Sequence, residues 1–116
     1  MTEPECLFCR IGAGTIPADK LFESERVLAF RDIHPQAPFH ALVIPKIHIE
    51  SLNFVEVDHA EIVAEMMQVP KKLAAEFGFS EAGYRTVFNC NRDGGQTVYH
   101  LHMHVLAGRS LSWPPG

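Results

Sequence analysis

Apolar and polar residues alternate without a break from Tyr99 to Val105, and this is the clearest pattern in the chain. Successive side chains of a β-strand point to opposite faces, so the alternation predicts a strand with one polar and one apolar face. The polar face carries His100, His102 and His104, spaced roughly 6.5 Å apart along an extended strand. Imidazoles are costly to bury unless they bind or react with something, so this row is a candidate functional site.

Five apolar-rich segments predict β-strands. They are residues 20–24, 27–32, 40–45, 84–91 and 98–107. Polar residues between the first two suit a hairpin turn, and the last two are expected to pair in antiparallel fashion across a tight, glycine-rich turn at residues 92–96.

Apolar side chains recur at helical spacing from Asp58 to Phe77, which predicts the main helix. Asp58 is the expected N-cap, with Glu61 at capping-box spacing, and Gly78 is the expected stop. Pro70 is expected to kink or split this helix. A short helix is expected at residues 6–14. The elements together predict an α+β fold: a five-stranded antiparallel sheet, one main helix and a short N-terminal helix.

Composition narrows the class of protein. A chain of 116 residues with 47% hydrophobic and 21% charged residues is typical of one soluble domain, residues 1–116. The formal net charge of −4 offers no general attraction to nucleic acid or to an acidic membrane, so neither is an expected partner. We find no secretory or membrane-spanning run, and the cysteine count of three is odd, so a cytoplasmic protein without a disulfide framework is expected.

The histidine row has three interpretations. It could hold a catalytic Zn²⁺, it could supply a nucleophilic imidazole for attack on phosphorus, or its histidines could be structural. The segment Gly94-Gly95-Gln96-Thr97 lies just before the row. Glycine N–H groups and the Thr97 hydroxyl can bind a phosphate, which favours phosphorus chemistry.

The segment from Gly95 to Leu106 resembles the signature of the histidine-triad (HIT) superfamily. Residues 16–18, 30–33, 35–40 and 43–46 are similar to other family segments, in the family order. Tyr99 and the ending Trp113-Pro114-Pro115-Gly116 resemble the Hint branch. The resemblance implies a HIT-like fold and a homodimeric purine nucleoside phosphoramidase that needs no cofactor for catalysis.

The resemblance also implies roles for the histidines. His102 would attack the α-phosphorus of an adenosine or guanosine 5′-phosphoramidate, release the amine and form a nucleotidyl-histidine that water resolves to AMP or GMP. The carbonyl of His100 would fix the His102 tautomer. His104 would contact the phosphate or assist the leaving amine. His40 would support the triad, although a structural role at a strand start is equally open.

The nucleotide site implied by the resemblance draws on residues across the chain. Asp32 would bind the ribose hydroxyls, and His34 stands where the family commonly has a small hydroxyl residue, which leaves its contact open. Phosphate contacts would come from Asn89, the Gly95 N–H and Thr97, with Gln96 nearby in no firm role. The apolar walls of the base pocket would be Phe8, Ile11, Ile16, Phe30 and Ile33. Trp113 would reach the partner subunit's site, or be an exposed tail residue.

Cys6 and Cys9 have metal-ligand spacing. Resemblance to the broader HIT proteins implies that His48 and His100 complete a structural Zn²⁺ site with them, whereas the Hint branch commonly lacks the cysteine pair. A redox motif and two buried thiols are the alternatives, and Cys90 has no assigned role.

Three other functions stay open at this point. A dinucleoside polyphosphate hydrolase would share Gly-Gln-Thr-Val before the triad, a nucleotide-binding regulatory protein would not need turnover, and a zinc hydrolase would use the triad as ligands. A homodimer is expected by resemblance, with the helix at 58–77 and the segment 53–57 as candidate contact surfaces.

Overall fold

The sheet is five-stranded and antiparallel, with strand order β1-β2-β3-β5-β4 in this computed structural model, which describes residues 3–116. The strands are β1 (Lys20–Glu23), β2 (Val27–Arg31), β3 (Phe39–Pro45), β4 (Tyr84–Phe88) and β5 (Met103–Ala107). The helices are α1 (Leu7–Gly12), α2 (Ala60–Phe77) and α3 (Asn91–Gly94), with two 3₁₀ turns at Leu52–Phe54 and Val57–His59. The predicted α+β architecture, including the antiparallel β4–β5 pair, is confirmed.

Each face of the sheet is covered by a separate apolar cluster. On one face Val43, Met103 and Val105 pack with the buried side of α2. On the other face Leu42 and Ile44 pack with α1. Because both faces of the central strand β3 are covered, all seven of its residues are buried. This double burial explains why β3 is apolar at every position except His40.

Helix α2 differs from its prediction at its start and its middle. Asp58 is not the N-cap, because residues 57–59 form a 3₁₀ turn that Glu56 and His59 close with a reciprocal capping box. Pro70 does not split the helix, which runs unbroken through it. Pro70 lies on the buried side, where packing offsets its missing hydrogen bond. Gly78 ends the helix in a left-handed conformation (φ 81°), as predicted. No helix among residues 3–116 is long and apolar enough to cross a membrane.

Only the second half of the predicted strand over 98–107 is sheet, because residues 98–100 form a bend. Strand β5 begins at Met103, so the predicted strand over 98–107 is wrong for its first five residues. The N–H of Leu101 donates to the Ile49 carbonyl (2.6 Å) instead of to a neighbouring strand. The alternation nevertheless survives, with Leu101, Met103 and Val105 in the cluster beneath α2. Strand β4 likewise ends at Phe88, before the predicted residue 91, since residues 91–94 form α3.

Candidate active site

His102 is held in one tautomer by its own backbone neighbourhood. Its Nδ1–H donates to the carbonyl of His100 at 2.7 Å, the acceptor that the sequence analysis expects. A carbonyl can only accept, so the proton sits on Nδ1 and Nε2 carries a lone pair. The Phe8 ring meets the imidazole edge to face, with centroids 5.1 Å apart. Ring orientation and tautomer are thus both fixed.

The Nε2 atom of His102 remains accessible although the residue is only 6% exposed. Within residues 3–116 this atom has no hydrogen-bond partner. Every fully buried side-chain nitrogen or oxygen in that range has one, so His102 Nε2 is not fully buried. His102 also lines a cleft between α1, the end of β2 and the histidine segment. Burial lowers the pKa of His102 from its usual 6.5, against the opposing influence of the His100 carbonyl and Asp32. A neutral imidazole with an accessible lone pair is therefore available at neutral pH.

The tautomers of His40 on β3 and His104 on β5 are fixed by the hydrogen bond between them and by a backbone N–H. The Gln36 N–H donates to His40 Nδ1 (3.0 Å), so neutral His40 carries its proton on Nε2. His40 Nε2 lies 2.8 Å from His104 Nδ1, which must then accept, leaving the His104 proton on Nε2. Burial, with the neighbouring His102 and His40, lowers the pKa of His104 to about 4. His104 thus presents an N–H donor beside the His102 lone pair.

The cleft between α1, the end of β2 and the histidine segment has a volume of about 590 Å³. Its apolar walls include Phe8, Ile11, Ile16 and Phe30, as the resemblance implies, together with Pro17, Ala18, Leu42 and Val98. Its polar groups include Asp32, His34, Thr97, His102 and His104, and Ile33 lies at its rim. This volume is within the usual range for small-molecule sites, and the division into apolar and polar ends suits an amphipathic ligand such as a nucleotide.

Asp32 stands at the polar end of the cleft, just after β2. One carboxylate oxygen, Oδ1, accepts the His34 N–H at 2.8 Å. The other, Oδ2, lies 3.4 Å from His40 Nε2. An ionised carboxylate has about four lone-pair sites, so Asp32 retains capacity to accept hydroxyl donors from a ligand.

The loop before the histidines is braced internally. The Gly95 N–H donates to the Arg92 carbonyl (3.0 Å), so it is not the free phosphate donor that the sequence analysis expects. Asn89 Nδ2 likewise donates to the Gly94 carbonyl (2.6 Å). The cause is helix α3: the N–H of its C-cap Gly95 closes the helix, and the carbonyl of its last residue, Gly94, accepts from Asn89. Of the expected phosphate ligands, Thr97 lines the cleft.

Gln96 and Trp113 lie outside the cleft lining. Gln96 is buried and ties three backbone groups together: it accepts from the Asn91 N–H and donates to the carbonyls of Glu50 and Val98. Its role is to fix the loop. Trp113 is 82% exposed on the tail. Gln36 is not among the residues predicted from the sequence, because it contributes a backbone N–H that no residue type reveals.

Cys6, Cys9, His48 and His100 come together beside the cleft, with one potential ligand atom each, all within 4.8 Å of one another. The Sγ atoms of Cys6 and Cys9 lie 3.3 and 3.5 Å from His100 Nδ1, and Cys9 Sγ lies 3.4 Å from His48 Nδ1. Tetrahedral zinc with thiolate and imidazole ligands requires S···N separations of about 3.6 Å. The set therefore fits Zn²⁺ in size and in donor chemistry.

His100 connects this cluster to the nucleophile. Its Nε2–H donates to the Pro45 carbonyl (2.8 Å), which turns the Nδ1 lone pair toward the two thiols. Its own backbone carbonyl accepts the hydrogen bond from His102 Nδ1–H. The ring of His100 is fully buried, so it lies in the metal-type cluster rather than in the cleft.

Comparisons with known proteins agree with this geometry. A family model described as the HIT domain matches residues 13–111. The chain is 47% identical over 107 residues to the purine nucleoside phosphoramidase of Escherichia coli K12, covering 92% of this chain and 90% of the relative. A HIT family hydrolase from Legionella pneumophila superposes with a TM-score of 0.94 at 55% identity, covering 97% and 100% of the two chains. A histidine triad protein from Clostridium difficile gives 0.93 at 46% identity, with 97% of each chain covered.

Proposed function

Because this chain belongs to the HIT domain family, we propose that it hydrolyses purine nucleoside 5′-phosphoramidates through a covalent nucleotidyl-histidine on His102. The observation that carries the proposal is the hydrogen bond from His102 Nδ1–H to the His100 carbonyl, which leaves Nε2 unprotonated at the cleft wall. The relative from E. coli that is named a purine nucleoside phosphoramidase supplies the substrate class.

In the first step His102 Nε2 attacks the α-phosphorus, the P–N bond to the amine breaks, and the amine takes a proton. His104 is the nearest candidate donor, since the two rings have centroids 5.1 Å apart. Its Nε2–H is also placed to bind a phosphoryl oxygen as charge develops there. In the second step water attacks phosphorus, His102 leaves, and the nucleoside monophosphate is released.

The cleft orients the nucleotide for this attack. We assign the purine to the apolar walls around Phe8, Ile16 and Phe30, and the ribose hydroxyls to Asp32. Thr97 is left to contact the phosphate. Fixing the nucleotide at both ends converts attack on phosphorus into an effectively intramolecular step, which is a large source of rate enhancement.

We further propose a structural Zn²⁺ held by Cys6, Cys9, His48 and His100. When bound, the ion would supply a cross-link between α1 and the backbone that orients His102. Four protein ligands close a tetrahedral site, so catalysis would proceed without a metal-bound reactant. Free cysteine thiols also suit the reducing cytoplasm, which we propose as the location.

Intact-mass spectrometry after mixing with a slowly hydrolysed phosphoramidate tests the proposal. A nucleotidyl adduct is expected on the wild-type chain and not on His102→Ala, whose turnover should fall ~10⁴-fold or more. His59→Ala, which removes a histidine outside the cleft, is the matched control and should retain adduct and turnover.

Two other outcomes would contradict the proposal. Faster release of AMP from diadenosine triphosphate than from adenosine phosphoramidate would instead identify a dinucleoside polyphosphate hydrolase. Tight AMP binding without any turnover would identify a nucleotide-binding regulatory protein.

A further inference from the structure

The carboxylate of Asp32 contacts the cleft and the His40–His104 pair at the same time. It lines the cleft, and its Oδ2 lies 3.4 Å from His40 Nε2. The ribose role proposed above uses only its cleft side. The contact with His40 is therefore unexplained by nucleotide binding.

The hydrogen bonds around His40 indicate that Asp32 is a second acceptor for the His40 Nε2–H. His40 has one proton, on Nε2, and two acceptors within reach: His104 Nδ1 at 2.8 Å and Asp32 Oδ2 at 3.4 Å. While His104 is neutral, its Nδ1 accepts this proton. If His104 gains a second proton, Nδ1 is occupied and two N–H groups would face each other. The His40 N–H then needs another acceptor, and Asp32 supplies it.

We propose that Asp32 is a positioning residue for the reaction: by accepting the His40 Nε2–H, it allows His104 to carry the proton that leaves with the amine. The inference rests on the proposed function. His104, protonated on both ring nitrogens by a proton taken up from solvent, passes its Nε2 proton to the amine nitrogen as the P–N bond breaks and the bond from His102 Nε2 to phosphorus forms, which leaves His104 neutral. In hydrolysis, the attacking water returns a proton to His104 as the bond from phosphorus to His102 breaks.

The charges around the pair support this role. Burial lowers the pKa of both His40 and His104, and the Asp32 carboxylate acts in the opposite direction on both. His102, two residues before His104, lowers the pKa of His104 further. No Lys or Arg among residues 3–116 contributes to the pKa shift of either ring.

Arg31 and Arg109 have other partners. Arg31 pairs with Asp19 (3.2 Å), and Arg109 donates to the Gln36 carbonyl (3.1 Å). Among residues 3–116, Asp32 is the carboxylate that forms an ion-pair contact with His40 or His104.

A substrate without ribose hydroxyls separates the two roles of Asp32. On the 2′,3′-dideoxy analogue of adenosine phosphoramidate, a residue that only binds ribose has nothing left to bind. We expect Asp32→Asn to lower kcat on this analogue by ~10-fold at neutral pH and to move the alkaline limb of the kcat profile down by ~1 pH unit. Equal profiles for the wild-type and Asp32→Asn chains on the analogue would overturn the proposal.

Asp19→Asn is the matched control, because it removes another carboxylate that lines the same cleft but pairs with Arg31. Its alkaline limb should coincide with that of the wild type. A shift as large as that of Asp32→Asn would mean that any cleft carboxylate suffices, and would overturn the specific role.

NMR titration of the imidazoles tests the influence of Asp32 on His40 and His104 without substrate. In Asp32→Asn the midpoints of His40 and His104 should fall by ~1 pH unit, and Asp32→Glu, which keeps a carboxylate, should restore them in part. Unchanged midpoints in a folded Asp32→Asn chain overturn the proposal. Failure of the wild type to turn over any phosphoramidate is a separate result, which overturns the proposed function.

Discussion

Hydrogen-bond partners decide where each of three imidazoles keeps its proton. The His100 carbonyl fixes His102, the Gln36 N–H fixes His40, and His40 in turn fixes His104. Burial disfavours the charged form of all three rings. The site therefore combines a lone pair on one ring with an N–H donor on the next, which one isolated histidine cannot provide.

The same burial makes stability depend on pH. Unfolding returns His104 to an ordinary pKa near 6.5, whereas in the folded chain its pKa is about 4. Between these values the unfolded state binds the extra proton, so the free energy of unfolding falls as pH falls from about 6.5 toward 4. Urea denaturation at several pH values should show that the free energy of unfolding of His104→Gln falls less steeply as pH falls. The difference in slope should correspond to at most one proton bound on unfolding. An unchanged slope would mean that His104 is not neutral in the folded chain.

At the scale of elements, local pattern predicted the sheet well because its central strands are apolar on both faces or alternate strictly. The placement of His100, His102 and His104 opposite Leu101, Met103 and Val105 followed from period two alone, and the structure confirms it.

The parts that failed depend on hydrogen-bond partners that the spacing of apolar residues does not reveal. Leu101 bonds to Ile49 rather than to a strand, and the Gly95 N–H is used by α3, so neither is visible in local spacing. The contact of Gln36 with His40 is equally hidden, because it involves a backbone group. Resemblance supplied what periodicity could not, namely that residues near both ends of the chain face one cleft.

Helix α1 gives the next prediction, since it begins at the proposed zinc site. Cys6 is its N-cap, and its Sγ accepts the Cys9 N–H at 3.4 Å. We expect elemental analysis to find one Zn²⁺ per chain after reconstitution, and none in Cys9→Ser. A chelator should lower the melting temperature of the wild type by about 5 °C or more, because bound metal stabilises only the folded state.

Cys90→Ser is the control for this experiment, because Cys90 lies outside the cluster. It should retain both the metal and the response to chelator. A wild-type chain that binds no zinc under these conditions would leave the cluster as hydrogen-bonded thiols and imidazoles.

At the scale of the whole molecule, the two sheet edges differ. The edge strand β1 carries Lys20 and Glu23, which form an ion pair, and charged edges of this kind resist pairing with another chain. On the opposite edge, β4 has a single charged residue, Arg85, whose side chain is engaged by the carbonyls of Leu111 and Ser112. We therefore propose that β4 pairs with β4 of a second copy, in the homodimer that the resemblance implies. Of the two surfaces expected from the sequence, α2 buries most of its apolar side within the chain but leaves Met67 and Phe77 exposed, and the segment 53–57 leaves Phe54 and Val57 exposed.

Sedimentation equilibrium at micromolar concentration should give twice the chain mass of 13.0 kDa. Thr86→Lys places a charge on the exposed part of β4 and should shift the equilibrium toward monomer, because two-fold symmetry would bring both lysines to the same interface. Gln68→Lys adds the same charge to the exposed side of α2 and should leave the dimer intact. Dissociation by Gln68→Lys alone would transfer the interface to α2, and a wild-type monomer would exclude both surfaces.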